Sequence, residues 1–158
     1  LDEGVQEFYP RKIKGNVIAH IDAFLESGYT KEEMKMIDET RKILGDESIG
    51  VTATAVRVPV RFGHSVSINA ELKRPFSIEQ LRESIAEFPG VAVLDDPSNN
   101  LYPVPEDSEG KDDVFVGRIR RDTSLPSAVN LWVVADNVRK GAATNAVQIA
   151  EEIIRRRQ

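Results

Sequence analysis

The chain has 158 residues, of which 41% are hydrophobic and 30% are charged, and its formal charge at pH 7 is −5. This length suits one hydrophobic core, and we predict that residues 1–158 form a single domain. The negative charge argues against nucleic-acid binding, and no apolar run of about 18 residues could cross a membrane. The sequence contains no cysteine and opens on no basic-then-apolar leader, so we expect a cytoplasmic protein without disulfides or thiolate-bound metal.

The first 60 residues contain two helical patterns and one strand pattern. Apolar residues recur at helical spacing over residues 15–27, until a glycine ends the pattern. The same spacing recurs over residues 30–44, where Thr30 and Glu33 have the three-residue offset of a capping box. Residues 51–60 are rich in β-branched side chains and predict a strand.

The rest of the chain predicts further strands and helices around one polar loop. Apolar and polar side chains alternate over residues 65–72, which gives this strand one apolar and one polar face. The elements that follow are a helix over 77–88, a strand over 91–96, a loop over 97–113, strands over 114–122 and 128–136, and a helix over 141–158. The loop is too polar to enter a core, so we expect it to be functional or mobile.

These elements predict an α+β fold. Several strands follow one another too closely for parallel crossovers, so the sheet should be mixed and largely antiparallel, with helices on one face. The polar side chains on the opposite face should meet solvent or a second copy of the chain, which predicts a homodimer through the sheet face.

Nucleotide- and metal-binding motifs are missing from the sequence. No two of the ten glycines are separated by a single residue, so there is no GxGxxG fingerprint. The pair Lys140 and Gly141 reverses the order found in a phosphate-binding loop. The two histidines are far apart and no cysteine accompanies them, so no metal site is predicted. His20 lies within the first helical pattern, where we assign it a structural role.

Residues 57–65, RVPVRFGHS, combine two arginines with His64 in an otherwise strand-like run. Guanidinium groups bind anions and histidine titrates near neutral pH, so this cluster has the chemistry of an anion site beside a proton donor or acceptor. From spacing alone, the simpler interpretation is a charge on a strand face at Arg57 and a polar residue at a strand start at His64.

Four blocks, in this order, resemble the C-terminal half of the aspartate-semialdehyde dehydrogenases: NVIAHID, GYTKEEMKMIDETRKIL, RVPVRFGHSVSINAEL and ADNVRKGAATNAVQIAE. The resemblance covers nearly the whole chain and implies the C-terminal domain of the glyceraldehyde-3-phosphate dehydrogenase-like fold. In that family this domain binds substrate and forms the dimer interface. The family's N-terminal dinucleotide-binding domain carries the catalytic cysteine and has no counterpart in residues 1–158, so we expect the chain alone to be inactive.

The resemblance also implies a reaction and a role for each matching residue. The reaction is the NADP-dependent reductive dephosphorylation of L-aspartyl 4-phosphate to L-aspartate 4-semialdehyde through a cysteine acyl-enzyme, in lysine, methionine and threonine biosynthesis. His64 would be the catalytic base and acid, and Arg57 would bind the substrate α-carboxylate. Glu32 would bind the substrate amino group, Lys35 the phosphate, and Asn137 the nicotinamide end of NADP. Simpler interpretations are a solvated ion pair between Glu32 and Lys35 and a helix cap at Asn137.

Two other functions remain open. The N-acetylglutamyl-phosphate reductases share the mechanism and the fold, although the block KEEMKMIDET favours the aspartyl enzyme. A non-enzymatic α+β interaction or dimerisation module would fit the composition equally well.

The resemblance requires a bend between Arg57 and His64. These residues are seven positions apart, which on one straight strand would be roughly 23 Å and too far for one small substrate. We therefore predict that the strand from Val51 ends near residues 57–60, that a bend or loop follows, and that a new strand starts at or just after His64, with Pro59 and Gly63 as the places where the chain leaves the sheet. Arg57 and His64 would then line one pocket, with Lys35 near its rim.

The last helix carries an apolar stripe that includes Ala146, Ile149 and Ile153. In the family this helix packs against the dinucleotide-binding domain, so we expect its stripe to be uncovered in residues 1–158.

Overall fold

The structure is a computed structural model that describes Tyr9 and residues 11–157. The chain divides into two compact units, Leu1–Pro59 and Val60–Gln158. No helix within the described residues is both long and apolar enough to cross a membrane.

The first unit contains one helix, α1, over Lys31–Leu44, where the sequence predicts it. The predicted capping box is present: the Glu33 backbone N–H donates to Thr30 Oγ1, and the Thr30 backbone N–H donates to Glu33 Oε2 at 2.8 Å. Gly45 ends the helix in the left-handed conformation, φ 64°, which glycine adopts without strain. Ile37 is buried on the inner side of the helix.

The helix predicted over residues 15–27 is wrong. Ile18 instead exchanges two backbone hydrogen bonds with Arg57, of 3.0 and 2.8 Å, and these occupy groups that a helix would need. Asp22 has φ 67°, which also interrupts a right-handed helix. His20 is half-buried and stacks on Phe24 with ring centroids 4.3 Å apart, which supports its structural role outside any helix.

The strand predicted over residues 51–60 is also wrong, because only Arg57 forms a bridge there. The buried Glu33 side chain holds this extended segment: its Oε1 accepts the Ala55 backbone N–H at 2.8 Å while its Oε2 accepts that of Thr30. These N–H groups, that of Thr30 first and that of Ala55 next, lower the pKa of Glu33. One carboxylate therefore joins the start of α1 to the segment that carries Arg57.

The second unit is built on a four-stranded mixed sheet. Its strands are β1 (His64–Glu71), β2 (Val91–Val93), β3 (Val114–Arg121) and β4 (Ala128–Ala135), in the spatial order β1-β4-β3-β2. Strand β4 is antiparallel to both β1 and β3, and β2 is parallel to β3. The predicted α+β class, with a largely antiparallel sheet, is confirmed.

Helix α2 (Ile78–Ala86) covers one face of this sheet. Its predicted capping box, between Ser77 and Gln80, is present. The core beneath it consists of Val116, Ile119 and Val129, against which partly buried apolar side chains of α2 and all four strands pack. The apolar face of the alternating β1 pattern contributes to this layer, as predicted.

Strand β3 contains a bulge between Gly117 and Arg120, where Arg118 has φ 55°. The Asp95 carboxylate accepts the backbone N–H groups of Arg118 at 2.7 Å and Ile119 at 3.1 Å, and it pairs with Arg82 at 2.6 Å. The Asp95 side chain is only 1% exposed, so this acid anchors the bulge from inside the fold.

The polar loop of residues 97–113 covers part of the second face of the sheet, contrary to the expectation that it stays outside the core. It contains a short 3-10 turn and the one-turn helix α3 (Pro105–Ser108), and both Pro103 and Ser108 are fully buried. Trp132 Nε1 on β4 donates to the Pro103 carbonyl at 2.9 Å. A Cβ at Gly117 would lie 2.2 Å from the Leu94 carbonyl oxygen, so only glycine permits this approach.

A five-residue π-helical turn (Arg139–Ala143) joins β4 to the last helix, α4 (Thr144–Arg155). The apolar side chains of α4 remain largely exposed, as expected for an uncovered stripe; they include Val147, Ile149, Ile153 and Ile154.

The Glu33 contacts predict a pH-dependent contribution to stability. Because folding lowers the Glu33 pKa, its contribution is complete above the ordinary glutamate pKa of about 4.3 and is lost as the pH falls through the lower folded value. Glu33→Gln should therefore destabilise the chain most near neutral pH and progressively less below pH of about 4. The measurement is urea unfolding at pH 7 and pH 3, with the exposed Glu39→Gln as the control. A deficit of equal size at both pH values would contradict this assignment.

Candidate functional site

His64 is the first residue of β1, so the predicted strand start is confirmed. Its side chain is exposed, and none of the described residues forms a hydrogen bond with it. Gly63, with φ 77°, turns the chain into the strand immediately before it. In the register of the sheet, His64 lies opposite Ala135, the last residue of β4.

Asn137 follows Ala135 by two positions, so it lies at the same end of the sheet as His64. Its side chain is half-buried, and its amide has no hydrogen-bond partner in the described part of the chain. Asp136, between Ala135 and Asn137, stabilises the turn that follows β4. Its Oδ1 accepts the backbone N–H groups of Val138 at 2.9 Å and Arg139 at 3.2 Å. The structure thus brings the predicted catalytic residue and the predicted cofactor residue to one end of a shared strand pair.

Sequence reasoning missed Asp136, although it stands next to the selected Asn137. Asp136 is 7% exposed, and its Oδ2 accepts the Gly110 backbone N–H at 2.9 Å. That N–H, followed by those of Val138 and Arg139, lowers the pKa of the Asp136 carboxyl. No direct sign in the sequence indicated that Asp136 is buried, because an aspartate after a strand ordinarily indicates a solvated turn. The only indication was the apolar strand that precedes it.

In the first unit, Glu32 and Lys35 lie on one side of α1, as their spacing predicts. Glu32 Oε2 and Lys35 Nζ are 3.9 Å apart, and the side chains are 37% and 57% exposed. A pair this exposed contributes little to stability, so both groups remain available to a charged ligand.

Arg57 is also in the first unit, on the segment that Glu33 and Ile18 hold by backbone hydrogen bonds. Its guanidinium carbon lies 5.1 Å from the centroid of the Tyr9 ring, a cation–π distance. Because Arg57 and His64 belong to different units, their common pocket stays a prediction.

A cavity of about 240 Å³ lies in the second unit, and its lining contains none of the residues selected by sequence. Its lining consists of Tyr102, Pro103, Val104, Pro105, Arg118 and Trp132. No group of three acidic or histidine side chains within the described residues is arranged to hold a metal ion.

Together these residues supply defined chemical functions. His64 offers an exposed imidazole for proton transfer. Arg57 and Lys35 offer positive charge for anions, Glu32 offers an acceptor for an ammonium group, and Asn137 offers an unpaired amide.

A family model described as the dimerisation domain of semialdehyde dehydrogenase matches residues 2–140. The aspartate-semialdehyde dehydrogenase of Aquifex aeolicus (strain VF5) is 56% identical over 147 residues, which are 93% of this chain and 43% of that protein. The aspartate-semialdehyde dehydrogenase of Legionella pneumophila is 56% identical over 146 residues, or 92% of this chain and 42% of that protein.

Solved structures agree with these sequence matches. Aspartate semialdehyde dehydrogenase II from Vibrio cholerae, complexed with ASA, matches with a TM-score of 0.88 at 49% identity, covering 93% of this chain and 43% of that one. The Candida albicans enzyme, solved with NADP, matches with a TM-score of 0.69 at 26% identity, covering 89% of this chain and 45% of that one. The predicted fold, that of the C-terminal domain of the glyceraldehyde-3-phosphate dehydrogenase-like class, is thereby confirmed.

The chain spans less than half the length of the curated relatives that it matches, at 43% and 42% for the two named above. The family model, in contrast, accounts for residues 2–140 of its 158. The chain belongs to the semialdehyde dehydrogenase dimerisation-domain family.

Proposed function

We propose that this chain is the substrate-binding and dimerisation part of an aspartate-semialdehyde dehydrogenase, which converts L-aspartyl 4-phosphate to L-aspartate 4-semialdehyde. The observation that carries the proposal is the 56% identity to the Aquifex aeolicus enzyme over 93% of this chain. The position of His64 beside the end of β4 supports it, because a proton-transfer group and a cofactor-contacting amide must lie close together in such a reaction. The cytoplasmic setting stays a prediction.

His64 serves as the proton-transfer group in this proposal. The proposal takes the reactive cysteine from the family's dinucleotide-binding domain; residues 1–158 contain no cysteine. His64 accepts the thiol proton; the thiolate then attacks the acyl carbon of aspartyl phosphate, and phosphate leaves with the electrons of the broken C–O bond. An exposed imidazole at a strand start can reach a group on another domain without any change in its own strand.

Arg57, Glu32 and Lys35 bind the charged groups of the substrate. The guanidinium of Arg57 offers two parallel donors to the α-carboxylate, and Glu32 accepts from the α-ammonium group. Lys35 attracts the phosphate as a point charge. The Glu33 carboxylate supports this arrangement because it fixes the Arg57 segment to the start of α1. Glu32 and Lys35 lie in the first two turns of that helix.

Asn137 is the residue of this chain that fits NADP. Its side-chain amide has one donor side and one acceptor side, both without a partner in the described residues, and the carboxamide of nicotinamide has the complementary groups. When bound, NADPH supplies the hydride that reduces the acyl group to the aldehyde. Most of the cofactor would be held by the dinucleotide-binding domain, because residues 1–158 have no glycine-rich fingerprint.

The uncovered part of the second sheet face is the proposed homodimer surface. The loop of residues 97–113 covers this face at Gly117 and Trp132, and the polar side chains of Ser67, Asn69 and Arg120 stay exposed on the same face. A second copy placed there by twofold symmetry would face the same strands of its partner.

The two rival functions lack a supporting observation. The named relatives are aspartate-semialdehyde dehydrogenases rather than N-acetylglutamyl-phosphate reductases. A purely non-enzymatic module would not require an exposed histidine, an amide without a partner among the described residues, and a fixed arginine on the family's positions.

The catalytic role of His64 is tested in the enzyme formed by joining this chain to a dinucleotide-binding domain of the family, called here the two-domain enzyme. His64→Asn should lower kcat by about 10²–10⁴-fold with little change in the substrate KM, since general acid–base catalysis contributes about that much. Steady-state NADPH oxidation is the measurement, and the 158-residue chain alone should show none. Turnover by the chain alone, or an unchanged kcat in the variant, would refute the proposal.

Arg57→Lys tests substrate binding in the same two-domain enzyme. Lysine keeps the charge and loses the two-donor fork, so the KM for aspartyl phosphate should rise by about tenfold, which corresponds to about 1.4 kcal/mol. The KM for NADPH should not change. The exposed Arg157→Lys is the matched control, and equal KM values in both variants would exclude a substrate contact at Arg57.

The dimer surface is tested by sedimentation of the chain at tens of micromolar. Ser67→Arg places two like charges near the twofold axis and should produce a monomer, because juxtaposed like charges at an interface cost several kcal/mol, on the order of 3. Glu83→Arg, on α2, is the control and should leave a dimer. A dimeric Ser67→Arg variant would place the interface elsewhere.

A further inference from the structure

The end of β4 and the start of β1 are held by a third segment of the chain, which the proposed function does not use. This segment is residues 105–112, the last part of the polar loop. Two acidic contacts join it to the β4 end: Gly110 N–H to Asp136, and Asp112 to Arg139. Both contacts lie close in sequence to Asn137, the residue assigned to cofactor binding, and they differ in how far solvent reaches them.

The two carboxylate oxygens of Asp136 have different partners. Its Oδ1 accepts Val138 N–H at 2.9 Å and Arg139 N–H at 3.2 Å, which closes a turn around Asn137. Its Oδ2 accepts Gly110 N–H at 2.9 Å. Since the residue is 7% exposed, water cannot easily replace any of these partners.

The segment held at Gly110 lies against the residue that leads into His64. A Cβ added to Gly63 would be 3.1 Å from Ser108 Oγ and 3.2 Å from the Ala135 carbonyl oxygen. Ser108 is fully buried, and its Oγ donates to the Pro105 carbonyl at 2.8 Å. Gly63 is therefore enclosed between α3 and the end of β4, and its position depends on where α3 is held.

The second acidic contact is much more exposed. Asp112 binds the Arg139 guanidinium through Nε at 2.7 Å and Nη2 at 3.0 Å, and it also accepts from Thr144 Oγ1. Both members of the ion pair are 44% exposed, so solvent competes for them. This pair adds little to the hold on the segment, and Asp112 serves as a matched control.

We infer that Asp136 is a positioning residue that sets Asn137 through its Oδ1 and sets His64 through Gly110, α3 and Gly63. This inference rests on the proposed function for the roles of Asn137 and His64. The geometry of the two oxygens makes the two effects separable. In Asp136→Asn, the remaining oxygen stays with the two N–H donors of the turn, and the new NH₂ group faces the Gly110 N–H, so only the hold on the segment is lost. In Asp136→Ala both are lost.

The first test uses NMR spectroscopy of the 158-residue chain and needs no activity. In Asp136→Asn, the Gly110 amide should exchange at least about tenfold faster, and the amide resonances of Gly63 and His64 should shift. Asp112→Asn should change none of these. Faster exchange at Gly110 without a shift at Gly63 and His64, or the same shifts in Asp112→Asn, would overturn the inference.

The second test is kinetic and uses the two-domain enzyme. Asp136→Asn should lower kcat by about tenfold or more while the KM for NADPH changes less than about twofold, because a displaced catalytic group costs rate rather than cofactor binding. Asp136→Ala should lower kcat and also raise the KM for NADPH. A merely structural role would reduce the active fraction in both variants and leave KM unchanged, and that result would overturn the inference.

Failure of the proposed function has a different signature from failure of this inference. A two-domain enzyme without dehydrogenase activity would refute the function, and the NMR shifts would still report whether Asp136 positions Gly63 and His64. If Asp136→Asn does not fold, Ser108→Ala replaces it, since it removes the Ser108 hydroxyl that faces Gly63 and leaves Asp136 intact. Unchanged His64 resonances in Ser108→Ala would then overturn the inference.

Discussion

The pairing of β1 with β4 is the interaction on which the proposed site depends. Eight residue pairs join the two strands in one antiparallel register, from His64 opposite Ala135 to Glu71 opposite Ala128. A shift by one residue would move every side chain of β1 to the other face, so the packing of Ala70 against the core helps to fix the register. His64, at the start of β1, and Asn137, just beyond the end of β4, are therefore positioned by the packing of the sheet rather than by contacts of their own side chains.

Buried carboxylates with backbone partners recur wherever an irregular segment must be held. Glu33 holds the extended segment of the first unit, Asp95 holds the β3 bulge, and Asp136 holds the loop against the sheet. Each accepts at least two backbone N–H groups that have no partner in a helix or strand, which supplies those donors with a charged acceptor. Acidic side chains thus replace secondary structure as the means of ordering these segments.

Local sequence signals predicted the elements whose stabilisation is local. Both capping boxes, at Thr30 and at Ser77, were found where the three-residue offsets indicate them, because a cap depends only on neighbours in sequence. The strand start at His64 was also correct, since a glycine before an alternating pattern marks it.

The errors lie where distant residues decide the backbone. The pairing of Ile18 with Arg57 and the contact of Glu33 with Ala55 replaced a helix and a strand that the local patterns favoured. The sequence resemblance supplied the candidate site residues, but it selected Asn137 and passed over Asp136, whose importance depends on Gly110, a residue far from it in sequence.

The close contacts at Gly117 limit the part of the sheet that another protein can reach. A methyl group at Gly117 would lie 2.2 Å from the Leu94 carbonyl oxygen, just after β2, and 2.5 Å from Pro103 Cδ of the loop. The loop is therefore a third layer of the fold, laid on the sheet at backbone distance. Part of the sheet face opposite α2 is thus already covered by the chain itself, at Gly117 and Trp132. Any symmetric association through this face must use the polar positions that stay exposed on it, such as Ser67 and Asn69.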